Sequence, residues 1–362
     1  GVFTSINSIN PTCYTIGYSE RGEYRVAKKA TEITGSECRF IKLSQDYYSQ
    51  LLKDKRDLAG GMYNQFTNIF VGHKEKIDPY SKILFHGHGL DYMFQGMYIP
   101  AKYFSLFGKN THLKNIMQLN DVKDIAIHYV HNVNYRFNQF DIGNFLLPNY
   151  QNEMIYGLYD AINEVLEEGR KVCNNNFDLW EYLLVHTISR HYSQMDISGM
   201  GTNGEQRKVA NDNDLMNLYL KMPLEYRKDA KVMRAALRVI NPKLADLESA
   251  NTGYRIDASP FQLTSHFIFY KILRTITGHQ KFRHPGFNER TWPNSGKQIK
   301  DLSILRNLAN DALNSEMLHA ELPYLDWEKI KSHSAQWIEN ESDGGGNFLM
   351  HLMSVHSLLK EI

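Results

Sequence analysis

Cysteine is scarce in this chain: its 362 residues hold three, Cys13, Cys38 and Cys173. None stands at C-x-x-C spacing, which excludes a zinc knuckle, and three scattered thiols make no disulfide framework. That scarcity suits a reducing compartment, so a cytoplasmic location is the expectation. An excess of one charge sign is also lacking. Lys and Arg number 41 and Asp and Glu 40, leaving a formal net charge of +1. No chain-wide field draws a polyanion, so no nucleic-acid partner is expected. No apolar run reaches the roughly 20 residues that cross a bilayer, so no membrane partner is expected either. The first residues show no charged stretch leading into an apolar one, as a signal peptide would. No internal repeat or low-complexity tract is visible.

The length exceeds one ordinary core, which points to two domains. With 42% hydrophobic and 22% charged residues the composition is that of a globular protein. Residues 13–18 (CYTIGY) and 38–43 (CRFIKL) read as buried strands. Between them Val26, Ala27, Ala30 and Ile33 keep the spacing of one helix face, and Gly35 suits a helix C-cap. Strand, helix, strand implies a parallel pair covered by a helix. Residues 83–85 (ILF) read as a third short strand. From about residue 130 the pattern is helical. Ile155, Leu158, Tyr159, Ile162, Val165 and Leu166 make one stripe; Trp180, Leu183, Leu184, Thr187, Ile188 and His191 make another. Further apolar stripes stop at Pro223 and Pro242. Residues 261–276 are apolar on most sides, as a core helix would be. Residues 341–346 (ESDGGG) read as a surface loop. The expected architecture is α/β over residues 1–130, followed by a helical domain over 131–362. The 22 tyrosines and 18 phenylalanines serve first as core and second as pocket lining.

The densest chemistry lies in residues 85–96, FHGHGLDYMFQG. His86, His88 and Asp91 resemble half of a metallo-hydrolase signature, but no further histidine follows where a binuclear site would need one. Alternatively, a strand running into Gly87-x-Gly89-x-Asp91 brings backbone amides toward phosphate oxygens, with a carboxylate for Mg²⁺. A third option is a tight turn in which the glycines serve geometry and the histidines are loop filler.

Gly87-His88-Gly89-Leu90-Asp91, with Phe94, Gly96 and Tyr98 after it, resembles the G-x-G-x-D-E-x-F-x-G-Y motif of the asparagine synthetase and β-lactam synthetase family. Three more segments follow the family's order. Tyr14-Thr15-Ile16-Gly17-Tyr18 is similar to the strand after the family's first phosphate loop. Gly204-Glu205-Gln206-Arg207 with Asp212 is similar to E-A-R-x-P-F-L-D. Lys231-Val232-Met233-Arg234 with Pro242 is similar to K-x-x-L-R and its following proline. The last hundred residues have no counterpart.

The resemblance implies a Rossmann-like ATP pyrophosphatase fold and an ATP-dependent, AMP-forming amide ligase. Such enzymes adenylate a carboxylate, release pyrophosphate and let an amine or ammonia attack, because a bare carboxylate is a poor electrophile. It implies ATP and Mg²⁺ as cofactors. Ile16 and Gly17 would line the adenine, Gly87 and Gly89 would approach the nucleotide, and Asp91 would bind the metal with pyrophosphate. His88 would act as general base toward the amine, or be an ordinary loop histidine. Glu205, Arg207 and Asp212 would serve the site or form a structural salt-bridge set. The acceptor would be a small-molecule carboxylate, and an upstream glutaminase domain or chain would supply ammonia.

Departures stand beside these likenesses. The family's S-G-G-x-D-S loop is not in the sequence; residues 1–9 resemble the helix after it, so the expectation is that this loop lies upstream of Gly1. Tyr92 stands where Glu is usual. Ala250 stands where the synthetases keep a catalytic lysine, with Lys243 nearby in sequence. A degenerate homologue that binds nucleotide or a partner without catalysis is the alternative reading.

Overall fold

The structure, a computed structural model, describes residues 11–50, 69–77, 79–106, 108–130, 142–188, 194–250, 252–277, 295–339 and 346–360, with residues 52 and 58. The helix expected over residues 1–9, His191 and all but the last residue of the loop expected at 341–346 lie outside these. The chain forms two compact units that interleave in sequence. The first takes Gly1–Ser44, His73–Met117 and Asn203–Pro293; the second takes Gln45–Gly72, Gln118–Thr202 and Asn294–Ile362. The boundary expected at residue 130 falls inside a segment of the second unit.

The first unit is α/β. Strand β1 (Thr12–Gly17) leads through helix α1 (Glu23–Thr34) to β2 (Glu37–Lys42), and β1 and β2 pair in parallel. This is the strand–helix–strand unit read from the spacing. Gly35 ends α1 at φ 70°, and the Ser36 amide donates to the Thr31 carbonyl at 2.9 Å. That closing bond needs a left-handed residue, which glycine adopts without steric cost. Strand β3 (Ile83–His86) leads into the short helix α2 (Leu90–Phe94), then a hairpin of β4 (Ala101–Leu106) and β5 (Lys109–Ile116). Strand β6 (Glu205–Lys208) returns to pair in parallel with β3. Helices α3 (Asn213–Lys221), α4 (Lys231–Ile240), α5 (Pro242–Ala245) and α6 (Pro260–Thr277) follow. Among the described residues the strands make three two-stranded sheets, two parallel and one antiparallel.

One expectation fails here. Helix α6 is not a core helix: only Thr264 along it is buried, while Phe261 is 69% and Ile276 77% exposed. It lies against β5, and a two-stranded hairpin covers only part of an apolar helix.

The second unit is helical over its described residues. Helix Pro148–Arg170 carries the first stripe, but only its C-terminal part is covered: Ile162 and Leu166 are buried and Ile155 is exposed. Helix Asn176–Leu184 buries Leu179, Trp180, Leu183 and Leu184, and the Asn175 side chain caps it by accepting from the Phe177 and Asp178 amides. Trp180 packs against His128 and Tyr129, with ring centroids 5.2 and 6.1 Å apart. Each such large buried side chain contributes about 1.5–3 kcal/mol. Among the described residues no helix is long and apolar enough to cross a membrane.

Candidate functional site

The β3–β6 pair is a small platform with two unlike faces. The strands run in register, Leu84 beside Gln206 and His86 beside Lys208. Registered residues of a parallel pair share a face. Leu84, His86, Gln206 and Lys208 are half-buried, whereas Ile83, Phe85, Glu205 and Arg207 are exposed on the other side. The polar face is tied together by His86 Nε2 and Gln206 Oε1, 3.0 Å apart. The His88 amide donates to His86 Nδ1 at 3.4 Å. With Nδ1 accepting, the His86 proton belongs on Nε2, where it donates to Gln206.

At the end of β3 the chain turns tightly. The Leu90 amide donates to the Gly87 carbonyl at 3.1 Å, and Gly89 sits at φ 97° before α2 begins. A Cβ on Gly89 would lie 3.0 Å from the Ala210 Cβ. Glycine is therefore required there twice over, by its dihedral and by the approach of the segment after β6. Gly87 is different: an added Cβ would meet nothing nearer than Leu90 Cδ1 at 3.5 Å, and the residue is exposed. Helix α2 is anchored from behind by Met93 and Phe94, which bury against Ala210 with Leu215, Tyr219, Met222 and Met233 around them. The loop therefore stands on α3, α4 and β6, three elements more than a hundred residues away in sequence.

His88 is the chemically open member. Its Nε2 is buried and has no hydrogen-bond partner among the described residues. Burial holds its imidazole below the ordinary value; Asp91 pulls the other way, and His86 and Lys208 oppose protonation. His86 is lowered as well, chiefly by burial, with Gln206 opposing and Lys208 adding to it. Burial also lowers the Lys208 ammonium. Both imidazoles are thus held toward their neutral form near pH 7.

Of the expected site residues, Gly87, His88, Gly89 and Asp91 share this loop. Asp91 Oδ1 accepts from the Tyr92 amide at 3.0 Å, which leaves Oδ2 clear among the described residues. Ile16 and Gly17 pair instead with Ile41 and Lys42 of β2, and the Gly17 carbonyl accepts from Leu43. Among the described residues neither hydrogen-bonds to the loop. Glu205 and Arg207 form an exposed ion pair. Asp212 caps α3, accepting from the Asp214 and Leu215 amides, which is a structural task. Arg234 of α4 donates to the Ala258 carbonyl. The Tyr92 ring packs on Tyr98, with centroids 5.1 Å apart. Lys243 is exposed on the four-residue α5, and Ala250 lies in the turn that the Glu248–Arg255 bridge closes.

The metal fit can be judged from the donors. Among the described residues no three His, Cys, Asp or Glu side chains gather as a metal site would require. His86 is engaged with Gln206 and the His88 amide, and the His86 and His88 ring centroids stand 6.3 Å apart. The three-ligand hydrolase arrangement of His86, His88 and Asp91 is therefore not formed. One carboxylate with a clear oxygen does fit a Mg²⁺ carried mainly by phosphates, since that ion keeps most of its ligands from phosphate and water. Nothing local in the sequence marks Lys208, which stands beside His86 on this face, because the all-polar EQRK gives no strand signal and no loop motif includes it.

No protein-family model, curated protein or solved structure matches this chain.

Proposed function

We propose that this chain carries the synthetase half of an ATP-dependent, AMP-forming enzyme that joins a small-molecule carboxylate to an amine or ammonia. The observation that carries the reading is a convergence. Residues 87–98, 204–212 and 231–242 resemble three motifs of the asparagine synthetase family and lie far apart in sequence. In the first unit β3 pairs with β6, and α2 packs on Ala210, Leu215 and Met233. Chance likenesses have no reason to meet around one loop. The reading carries with it a Rossmann-like ATP pyrophosphatase fold, with β1 and its Ile16-Gly17 end at the adenine.

In this proposal Gly87 and Gly89 keep the loop backbone open to phosphate oxygens. Asp91, with one clear carboxylate oxygen, would hold Mg²⁺, which when bound neutralises charge on the departing pyrophosphate. His88, kept neutral by burial, offers a free ring nitrogen to take a proton from the attacking amine. Ammonia would come from a glutaminase domain or chain upstream.

A second reading is a homologue that binds nucleotide without catalysis. Tyr92, packed on Tyr98 where the family has Glu, and the missing lysine at Ala250 favour it. Calorimetric titration with Mg·ATP tests the shared premise, using the natural full-length polypeptide and its Asp91→Asn variant. Saturable binding that weakens in the variant supports both readings. Absence of binding by the natural protein overturns both.

A further inference from the structure

The fold brings together two cysteines that lie apart in the sequence. Cys13 of β1 and Cys38 of β2 are register partners in the parallel pair. Registered residues of such a pair share a face, so both thiols leave the sheet on the same side. Paired strands run about 4.8 Å apart, and a disulfide joins Cα atoms about 4.4–6.8 Å apart. The backbone spacing of the ladder thus falls within the disulfide range. Both residues are half-buried free thiols. Burial chiefly raises the Cys13 thiol above its ordinary value, and the Cys38 thiol beside it adds to the rise. Their face is the one that α1 covers, since Phe40, on the same side of β2, packs on Tyr24 of α1 with ring centroids 4.9 Å apart. A structural zinc takes four ligands, and among the described residues no further His, Cys, Asp or Glu joins these two to make even three.

We propose that Cys13 and Cys38 form a reversible dithiol site that takes a small-molecule disulfide of the glutathione class as its oxidant and closes into a disulfide across β1 and β2. One cysteine, as thiolate, attacks a sulfur of the oxidant; the oxidant's S–S bond breaks and one thiol leaves. The second cysteine, as thiolate, attacks the protein sulfur of that mixed disulfide and expels the other thiol. Two protein S–H bonds are lost and one S–S bond forms. The oxidant returns as two thiols, which take up the two protons and two electrons. Such a pair stays open in a reducing compartment and closes when the thiol pool becomes oxidising, the usual role of a disulfide in that setting. Closure ties β1 to β2 near their starts, at the end of β1 away from Ile16 and Gly17. The site owes nothing to the proposed ligase function and stands or falls apart from it.

The test incubates the full natural chain in buffers of oxidised and reduced glutathione, quenches with acid, alkylates the remaining thiols and maps tryptic peptides by mass. Trypsin cuts between the two cysteines, after Arg25 among other positions, so the disulfide shows as two joined peptides. The joined peptide is expected in the parent as the oxidised share rises, and dithiothreitol should remove it. In Cys38→Ser it should be absent, with Cys13 carrying glutathione instead. A neighbouring thiol acts at an effective concentration on the order of mM or above, so the glutathione adduct of Cys13 should be about tenfold or more scarcer in the parent than in the variant. Parent thiols that stay free in fully oxidised buffer, or that take separate glutathione adducts with no joined peptide, overturn the proposal. If Cys38→Ser does not fold, Cys38→Ala replaces it, and equal glutathione adducts at Cys13 in parent and variant are again the overturning result.

Discussion

Gly89→Ala is the sharpest probe of the loop. Gly89 sits at φ 97° and ψ −22°, away from any basin that an L side chain favours. Left-handed backbone costs a residue with a Cβ about 1–2 kcal/mol. The new methyl would also meet Ala210 Cβ at 3.0 Å, closer than ordinary packing permits. Ala210 is buried in the small core that seats α2, so it gives way only by moving that core, and overpacking of this kind costs about 1–3 kcal/mol. Alanine also restricts the unfolded chain, which returns about 0.4–1 kcal/mol. The expected net loss is about 1–5 kcal/mol, concentrated at the loop. Hydrogen exchange of the Met93 amide reads it locally, because that amide donates to the Gly89 carbonyl; urea unfolding reads it globally. Adding Ala210→Gly should relieve the contact but not the dihedral, so a double-mutant cycle should show coupling of about 0.5–3 kcal/mol. If Gly89→Ala exchanges and unfolds as the parent does, the account of this turn is wrong.

Two further outcomes follow from other parts of the first unit. Asp229 and Ala230 are consecutive non-glycine residues at φ 58° and 56°, just before α4. Ala230→Gly should raise the unfolding free energy by up to about 1 kcal/mol once the freer unfolded chain is counted, and the urea midpoint with it; a lower midpoint would show that these dihedrals carry no strain. Asp257 is held below its ordinary value of 3.8: burial works against this, but the hydrogen bonds from Arg238 and Arg255 outweigh it. A depressed carboxylate stabilises the fold above its unfolded value, and that stability is lost as pH falls through the folded value. Unfolding midpoints of the parent should therefore fall more steeply below about pH 3.8 than those of Asp257→Asn. Parallel pH profiles would refute the role of this ion cluster.

Local elements are legible where local chemistry decides them. The apolar spacing of α1 and Gly35 after it predict a strand–helix–strand unit that the structure forms, β1 pairing with β2 in register from Thr12 and Glu37 to Gly17 and Lys42. The loop at Gly87–Asp91 was legible because glycine and aspartate are restricted in what they can do. The pairing of β3 with β6 was not, since no local signal in four polar residues announces a partner more than a hundred positions away. For the same reason nothing local marks Lys208, and Asp212, a salt-bridge candidate by sequence, is a helix cap. Helix α6 misled because apolar composition suggests burial, while what covers a helix is decided by tertiary packing.

The central claim is that Gly87–Asp91 belongs to an AMP-forming enzyme. ATP–pyrophosphate exchange by the natural full-length polypeptide, run with a panel of small carboxylates, tests it most directly. The account predicts exchange that requires Mg²⁺ and one carboxylate class, and that falls by about a hundredfold or more in Asp91→Asn, the scale of losing one group that stabilises developing charge. Mg·ATP binding with no exchange for any carboxylate would contradict the claim and leave a nucleotide-binding homologue in its place.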